Sequence, residues 1–245
     1  MGSVRAIVAD LDPDLVGALP AVKLESARSA SVAAVITVQP GEWDTGAEAD
    51  QAQGGYGLLV LDGLLVRRVG FDGRFGAELL GAGDLLRPWE IDGASSGTLP
   101  FETTWRVMVT TRAAVLDLAW ASRMAPFPQV GGCLAGRALA RSKRLATSMA
   151  IVQLPRLDDR LWMLFWELAD RHGRVHADGV HLDLPLTHEL LSHLAAARRP
   201  SVSGALTRLA EQGRLVRSGR AWVLTGEPPE DGFADGEADV LASPG

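Results

Sequence analysis

The sequence predicts an α+β protein in which an antiparallel β-roll, or jelly roll, precedes a long helix and a winged helix-turn-helix. Three observations lead to this fold class. Residues 24–120 contain short apolar runs separated by glycine-rich turns, a pattern typical of antiparallel barrels and jelly rolls. Residues 130–154 are compatible with one long helix. Residues 187–224 contain two short helical patterns followed by two short strands.

Length and composition fit one large globular domain or two of ordinary size. The chain has 245 residues, of which 47% are hydrophobic. It contains no apolar run of roughly eighteen residues, so we expect no membrane span. Met1–Leu15 carries three aspartates and lacks the apolar region of a signal peptide. The single cysteine, Cys133, excludes an internal disulfide. These features together predict a cytoplasmic protein.

Turn signals divide the first half of the chain into strands. Val4–Leu19 is expected to be a helical or irregular lead-in, and the polar stretch Gly41–Gly55 to be a loop. Asp62-Gly63 and Asp72-Gly73 are dipeptides of the hairpin-turn type, and each is expected to connect two strands. The short apolar runs of this region include Ser31–Gln39, Gly57–Arg68, Gly76–Gly81, Trp105–Thr110 and Ala113–Leu118.

The segment Val130–Leu154 is predicted to form the long helix, which Pro155 ends. A narrow seam runs along it with a spacing of three to four residues, which fits either an ordinary helix packed on the roll or a helix–helix interface. The residues of this seam are Leu134, Ala138, Arg141, Leu145, Ser148 and Val152.

The elements that precede the helix-turn-helix can be read from local signals. Arg160–Arg171 has helical apolar spacing, and Asp158 or Asp159 is placed to cap it. Gly173 follows this helix and is expected to stop it. Val180–Leu184 alternates between apolar and polar residues as a short strand does.

The helix-turn-helix itself has clear start and stop signals. Thr187 is placed to cap the first helix. Pro200–Glu211 is predicted to be the second, recognition helix, because proline is suited to the first turn of a helix. Ser218-Gly219-Arg220 lies between two short strand patterns, which together predict the wing. The apolar residues expected to face the core from the second helix are Val202, Leu206 and Leu209.

Charge is distributed unevenly along the chain. The formal net charge is −6, with 30 acidic and 24 basic residues. Six acidic residues and no basic residue follow Gly226, so the preceding part has 24 acidic residues (30 − 6) against 24 basic ones. Residues 198–220 contain six arginines and only one acidic residue, Glu211. A basic patch on a neutral body indicates nucleic-acid binding when it accompanies a helix-turn-helix. The acidic tail is expected to be disordered.

Two strings within the last third resemble the Crp/Fnr (cyclic-AMP receptor protein) family of bacterial transcription regulators. They are LPLTHELL at residues 184–191 and RPSVSGAL at residues 199–206. The resemblance is specific in the last third and architectural before it. It implies a cyclic-nucleotide-binding-like sensor domain at residues 1–130, a dimerisation helix at 131–154, a winged helix-turn-helix at 155–226 and an acidic tail at 227–245. In the dimerisation helix, the interface residues would be Leu134, Ala138, Leu145 and Val152.

The resemblance implies a sequence-specific, homodimeric regulator that binds double-stranded DNA at a two-fold symmetric operator, with RNA polymerase as a further candidate partner. Arg199 matches the family arginine that reads a guanine edge, whereas Gly204 replaces the usual second arginine, which reduces the base-reading set. The full set of candidate DNA-binding residues is Thr187, His188, Arg198, Arg199, Ser201, Ser203, Gly204, Thr207, Ser218 and Arg220.

The nucleotide-binding cassette of the family is not recognisable in this sequence. The segment after Gly83-Asp84 has Arg87, Pro88 and Glu90 where a phosphate cradle is expected. Thr103-Thr104 replaces the family's pair of an arginine with a serine or threonine. Arg87 or Arg106 could substitute, although a solvated or structural role is the plainer interpretation of both. The candidate effector-pocket residues are Arg87, Glu90, Thr103 and Thr104, cyclic AMP is not expected to bind in the usual mode, and no cofactor is predicted.

Other functions are disfavoured by residue counts. One cysteine cannot ligate the common iron–sulfur clusters, and the first 171 residues contain no histidine to ligate haem. His172 and His176 have zinc-like spacing without a supporting frame, so no metal site is predicted. No catalytic motif is present, and no enzyme is predicted. The remaining alternative is a ligand-sensing or protein-interaction module that keeps this architecture without sequence-specific DNA binding.

Overall fold

The computed structural model describes residues 4–88 and 101–228. The chain forms two compact units, Met1–Ala150 and Ile151–Gly245. The first unit is built on an antiparallel sheet and the second on helices with a smaller sheet. The α+β fold class predicted from the sequence is therefore confirmed.

Within the described residues, the sheet of the first unit contains seven strands. Its main path runs β1-β2-β7-β4-β5, with β3 on β7 and β6 on β4, and all pairs are antiparallel. The strands are β1 (Val4–Ile7), β2 (Val32–Val38), β3 (Gly41–Glu42), β4 (Gly57–Phe71), β5 (Arg74–Gly81), β6 (Leu85–Leu86) and β7 (Glu102–Leu116).

One of the two predicted hairpin turns is confirmed and the other is wrong. Asp72 and Gly73 connect β4 to β5 with φ values of 53° and 70°, as a two-residue turn of the primed type requires. Asp62 and Gly63 instead lie inside β4, where the pairing with β7 shifts register. A Cβ on Gly63 would lie 2.4 Å from Oγ1 of Thr111, so glycine is needed where β7 crosses closely.

The first unit also contains helices. The expected helical or irregular lead-in at Val4–Leu19 is helical from Val8 to Leu15, with one break at Asp12, but it begins with strand β1, which was missed. Gly41–Gly55 contains β3 and a helix, so the prediction of a loop there was wrong. The helices of this unit are α1 (Val8–Leu11), a 3₁₀ helix (Pro13–Leu15), α2 (Ala21–Ala30), α3 (Gly46–Ala52), α4 (Leu118–Met124) and α5 (Pro128–Ile151).

The helix α5 packs on the rest of the first unit through apolar side chains and arginines. Val130 and Leu134 join the apolar core that contains Trp120. Farther along, Arg137 and Arg141 form bidentate ion pairs with Asp12 and Glu78, respectively. Arg144 forms a further pair, with Asp84. The three arginines occupy one face of the helix because their spacing is four and three residues.

Up to residue 228, where the described residues end, the second unit contains three helices and a four-stranded antiparallel sheet. The sheet order is β10-β11-β9-β8. Both wing strands are where the sequence predicted them, whereas β8 was missed and pairs with β9 in a hairpin. The elements are α6 (Leu157–His172), β8 (Gly173–His176), β9 (Gly179–Leu182), α7 (His188–Leu194), α8 (Arg199–Glu211), β10 (Leu215–Ser218) and β11 (Ala221–Leu224).

A bidentate ion pair joins α6 to α8. Oδ2 and Oδ1 of Asp158 accept hydrogen bonds from Nε and Nη2 of Arg208 at 2.8 and 2.6 Å. Arg156 occupies the N-cap position of α6, and Asp158 and Asp159 lie in its first turn. The prediction that one of these two aspartates caps the helix was therefore wrong. The hydrogen bonds from Arg208 hold the pKa of the Asp158 carboxyl below its ordinary value.

We expect Asp158→Asn to lower the free energy of unfolding, because the uncharged amide cannot form the charge-assisted pair with Arg208. The folded-state pKa of Asp158 is depressed, so its stabilisation is present above the unfolded pKa of about 3.9 and is lost as pH falls through the folded pKa. Denaturant unfolding over a series of pH values, from neutral to strongly acidic, should therefore show a difference from wild type that shrinks below about pH 4.

Asp159→Asn is the matched control, since Asp159 lies 3.9 Å from Arg156 in a looser pair. Equal losses for Asp158→Asn and Asp159→Asn at neutral pH would contradict the role of the Asp158–Arg208 pair.

Candidate nucleic-acid interface

The predicted helix-turn-helix is formed by α7 and α8. Oγ1 of Thr187 accepts a hydrogen bond from the Leu190 amide at 3.1 Å, which confirms the predicted cap. After α7, Ala196 has a φ of 48°, and the Ala197 amide donates to the Ser192 carbonyl at 2.9 Å. This left-handed residue is what turns the chain from α7 into α8. Glycine is usual at such a position, and alanine occupies it in this chain.

The inner face of α8 is buried as the sequence predicted. Val202 and Leu209 are fully covered, and Leu206 is nearly so. Ala205, which the periodicity did not single out, completes the buried stripe. Because these residues fix the rotation of the helix, the opposite face is presented to solvent.

The polar residues of α8 divide into exposed groups and groups engaged within the unit. Arg199, Ser201 and Thr207 are exposed. Nδ1 of His188 and Oγ of Ser203 lie 2.8 Å apart, so these two predicted DNA contacts bond to each other and link α7 to α8. Thr207 donates its hydroxyl to the Ser203 carbonyl at 3.1 Å, which leaves the hydroxyl oxygen as an acceptor.

Gly204 is not required by the packing of α8. A Cβ at this position would meet only Nη1 of Arg208, at an ordinary contact distance of 3.5 Å. Glycine inside a helix costs roughly 0.5–1 kcal/mol relative to alanine. The structure therefore gives no internal reason for glycine on this face.

The arginines of the basic patch differ in their surroundings. Within the described part of the chain, Arg198, Arg199 and Arg220 are exposed and form no ion pair. Arg208 is held by Asp158. The other two arginines lie over aromatic rings, Arg214 at 5.7 Å from Trp162 and Arg217 at 4.5 Å from Trp222. The cations left accessible to a polyanion are thus at the start of α8 and at the tip of the wing.

The wing tip carries the two remaining predicted contacts. Ser218 ends β10, Arg220 follows Gly219, and all three residues are exposed. Gly219 has a φ of 58°, which the tight turn between β10 and β11 requires. A small turn that presents one arginine and one hydroxyl suits a contact to phosphate.

Three of the four predicted effector-pocket residues lie within the described part of the chain. Thr103 is half-buried and Thr104 is exposed, because consecutive side chains of β7 point to opposite faces of the sheet. Arg87 is exposed, and Glu90 lies outside the described residues. The role of these residues in an effector pocket remains a prediction.

Most residues of the predicted seam of α5 do not lie on the exposed face of the helix. Leu134 is 1% exposed within its own chain, and Arg141 is bound to Glu78, so neither is available as predicted. Leu145 and Val152 are half-buried and Ala138 is exposed. The large apolar residues that α5 leaves exposed are instead Leu139 (71%) and Met149 (69%).

Membrane spans and metal clusters are both absent from the residues that the structure describes. Among them, no helix is long and apolar enough to cross a membrane. No group of three or more histidine, cysteine, aspartate or glutamate side chains in these ranges is arranged to hold a metal ion.

Comparisons with known proteins place the second unit in a family. The model of the Crp-like helix-turn-helix domain matches residues 159–226. A search of curated protein sequences gave no match.

Solved structures share the fold over most of the chain. FixK2 from Bradyrhizobium japonicum has 20% identity and a TM-score of 0.56, covering 78% of this chain and 92% of that chain. A CRP-family transcriptional regulator from Thermus thermophilus has 21% identity and a TM-score of 0.56, with the same coverage. A cyclic nucleotide-binding domain containing protein from Listeria monocytogenes has 13% identity and a TM-score of 0.60, covering 77% and 87%. The chain thus carries a Crp-like helix-turn-helix domain at residues 159–226 and shares its fold with these solved structures.

Proposed function

We propose that this protein is a sequence-specific DNA-binding transcription regulator that binds a two-fold symmetric operator as a homodimer. The observation that carries the proposal is the outer face of α8. Its inner face is buried, while Arg198 and Arg199 are exposed at its start and form no ion pair within the described residues. A helix with this arrangement is suited to enter the major groove with its first turn.

Arg199 is the residue proposed to read a base. A guanidinium can donate two hydrogen bonds to O6 and N7 of guanine, a pattern that only guanine presents in the major groove. Arg198, Ser201, Thr187 and Arg220 supply positive charge or hydroxyl groups for phosphates, which position the helix without specifying sequence. The two recognition helices of a dimer would contact half-sites about 34 Å apart.

The dimer is proposed to form through the exposed face of α5. Ala135, Leu139, Ser142, Ala146 and Met149 recur at alternating spacings of four and three residues. Such spacing aligns side chains along one seam of a helix pair. This face lies away from the arginines that bind the roll, so a second copy of the chain could cover it without breaking those ion pairs.

Cyclic AMP is proposed not to act on this protein in the usual mode of the family. A cyclic phosphate in a protein interior needs an arginine or several aimed N–H donors. Pro88 has no amide donor, and Arg87 is exposed. Thr103 and Thr104 lie on opposite faces of β7 and carry no charge.

The proposed function is tested by selection of DNA from a random duplex library with the purified full chain. The expected result is enrichment of one motif with two-fold symmetry. Recovery of unenriched DNA would favour the alternative, a ligand-sensing or protein-interaction module that keeps the architecture.

Replacement of Arg199 should affect specific binding most. We expect Arg199→Ala to cost about 1–3 kcal/mol on the selected site and to relax preference at one base pair of each half-site. Fluorescence anisotropy with the selected duplex and with single-base variants measures both effects.

Arg220→Ala is the matched control, because it removes an exposed arginine from the wing rather than from α8. It should weaken selected and random duplexes alike and reduce the slope of log K against log salt by about one. An equal loss on both duplexes for Arg199→Ala would refute its role in base reading.

The dimer surface is tested by Leu139→Asp. The carboxylate would be buried without a partner at the seam, so sedimentation should show monomers and binding to the two-fold site should be lost. Leu118→Asp is the control, since Leu118 is a similarly exposed leucine (62%) on α4. A Leu139→Asp protein that remains dimeric at the concentration where wild type is dimeric would place the interface elsewhere.

A further inference from the structure

The carboxylate of Glu78 lies between two guanidinium groups in the first unit. Its Oε2 is 2.8 Å from Nη2 of Arg67. Nε and Nη2 of Arg141 donate to Oε1 and Oε2 at 2.6 and 2.8 Å. The side chain of Glu78 is only 12% exposed. This carboxylate therefore forms ion pairs with arginines of two different elements while it is largely removed from water.

On the sheet side, three residues form a row across β5, β4 and β7. Glu78 is paired with Arg67 across the first two strands, and Arg67 is paired with Trp105 across the next. The guanidinium of Arg67 lies 5.9 Å from the centre of the Trp105 ring. This row fixes one arginine of the site from the interior of the sheet.

On the helix side, α5 supplies the second arginine. Nη1 of Arg141 also donates to the Leu85 carbonyl at 3.1 Å, so all three nitrogens of this guanidinium are engaged. Burial alone would lower the pKa of Arg141, but its hydrogen bonds and its attraction to Glu78 raise that pKa above its ordinary value. One turn farther along, Arg144 binds Asp84, which is 3% exposed.

Two guanidiniums that are withdrawn from water need an anion between them, because an unpaired charge in a protein interior is costly. A planar group with two oxygens suits the fork of an arginine, and carboxylate and phosphate both offer oxygens in this arrangement. Neither Arg67 nor Arg141 can lose its charge instead, since arginine stays protonated in proteins. The site thus has the composition of an anion-binding site whose anion belongs to the chain.

We propose that Glu78 acts as a built-in anionic ligand: it occupies an anion-binding position formed by Arg67 and Arg141, and it holds α5 on β5 without a free anion. Removal of the Glu78 carboxylate should then open the position to a small external anion such as inorganic phosphate. We also expect the wild-type protein to bind DNA without an anionic effector. This expectation rests on the proposed function.

The first experiment measures the melting temperature of the full chain in sodium phosphate and in sodium chloride at equal ionic strength. Wild type should show no saturable response to phosphate. Glu78→Ala should melt below wild type in chloride, and phosphate should raise its melting temperature saturably, because a ligand that binds only the folded state stabilises it. The response should be lost in Glu78→Ala/Arg141→Ala.

The control for this experiment is Glu42→Ala. Glu42 forms an exposed ion pair with a single arginine, Arg106, so its removal leaves no pair of guanidiniums to fill. It should give no saturable phosphate response. If Glu78→Ala responds to phosphate no more than Glu42→Ala does, or if it stays unfolded in both buffers, the proposal fails.

Glu78→Gln supplies an independent test of the charge. The amide keeps the shape of the side chain but carries no charge, so this variant should melt below wild type in both buffers. Stability equal to that of wild type would show that the two arginines need no anion, and it would overturn the proposal.

A second experiment separates this inference from the proposed function. The affinity of wild type for the selected duplex should be the same with phosphate, with cyclic AMP and with neither, at equal ionic strength. The affinity of Glu78→Ala should increase with phosphate. If phosphate leaves the DNA affinity of Glu78→Ala unchanged, the proposed effect of the Glu78 position on DNA binding is wrong. If no duplex is selected at all, the proposed function fails while the melting experiment still decides on the anion site.

Discussion

Arginine–carboxylate pairs determine how the helix α5 lies on the first unit. Apolar burial alone is not directional, and it would allow a helix several rotations about its axis. Bidentate pairs are directional, because the planar guanidinium must align with the carboxylate. Arg137, Arg141 and Arg144 each form an ion pair with a different part of the first unit. The partners are Asp12, Glu78 and Asp84, respectively. The rotation of α5 follows from these three pairs.

The rotation of α5 decides which residues are accessible. Leu134 is turned into the core, while Leu139 and Met149 are left exposed on the opposite face. A partly buried ion pair is weak evidence for stability, but it can select one arrangement among several apolar ones. In this view the ion pairs contribute specificity to the fold, and the apolar core contributes most of the free energy.

A bidentate arginine–carboxylate pair also orients a helix in the second unit. Asp158 at the start of α6 holds Arg208 of α8 in a bidentate pair. Together with the buried residues Val202 and Leu209, this pair fixes the rotation of α8 within the unit. Arg198 and Arg199 stay exposed at the start of the helix, where the proposed function needs them. One arginine of the basic patch is thus used for structure, and others remain available for DNA.

The sequence by itself determined the elements whose signals are local. The cap at Thr187, the apolar spacing of α8, the wing turn at Gly219 and the hairpin at Asp72-Gly73 were all predictable, because each depends on residues a few positions apart. The tertiary structure decided whatever depends on a distant partner. Asp62-Gly63 looks like a hairpin turn, yet β7 pairs with β4 on both sides of it, across shifts of register, and the segment stays in one strand. The rotation of α5 was not predictable for the same reason: it is set by carboxylates 60 to 125 residues away in the sequence, which no local pattern can reveal.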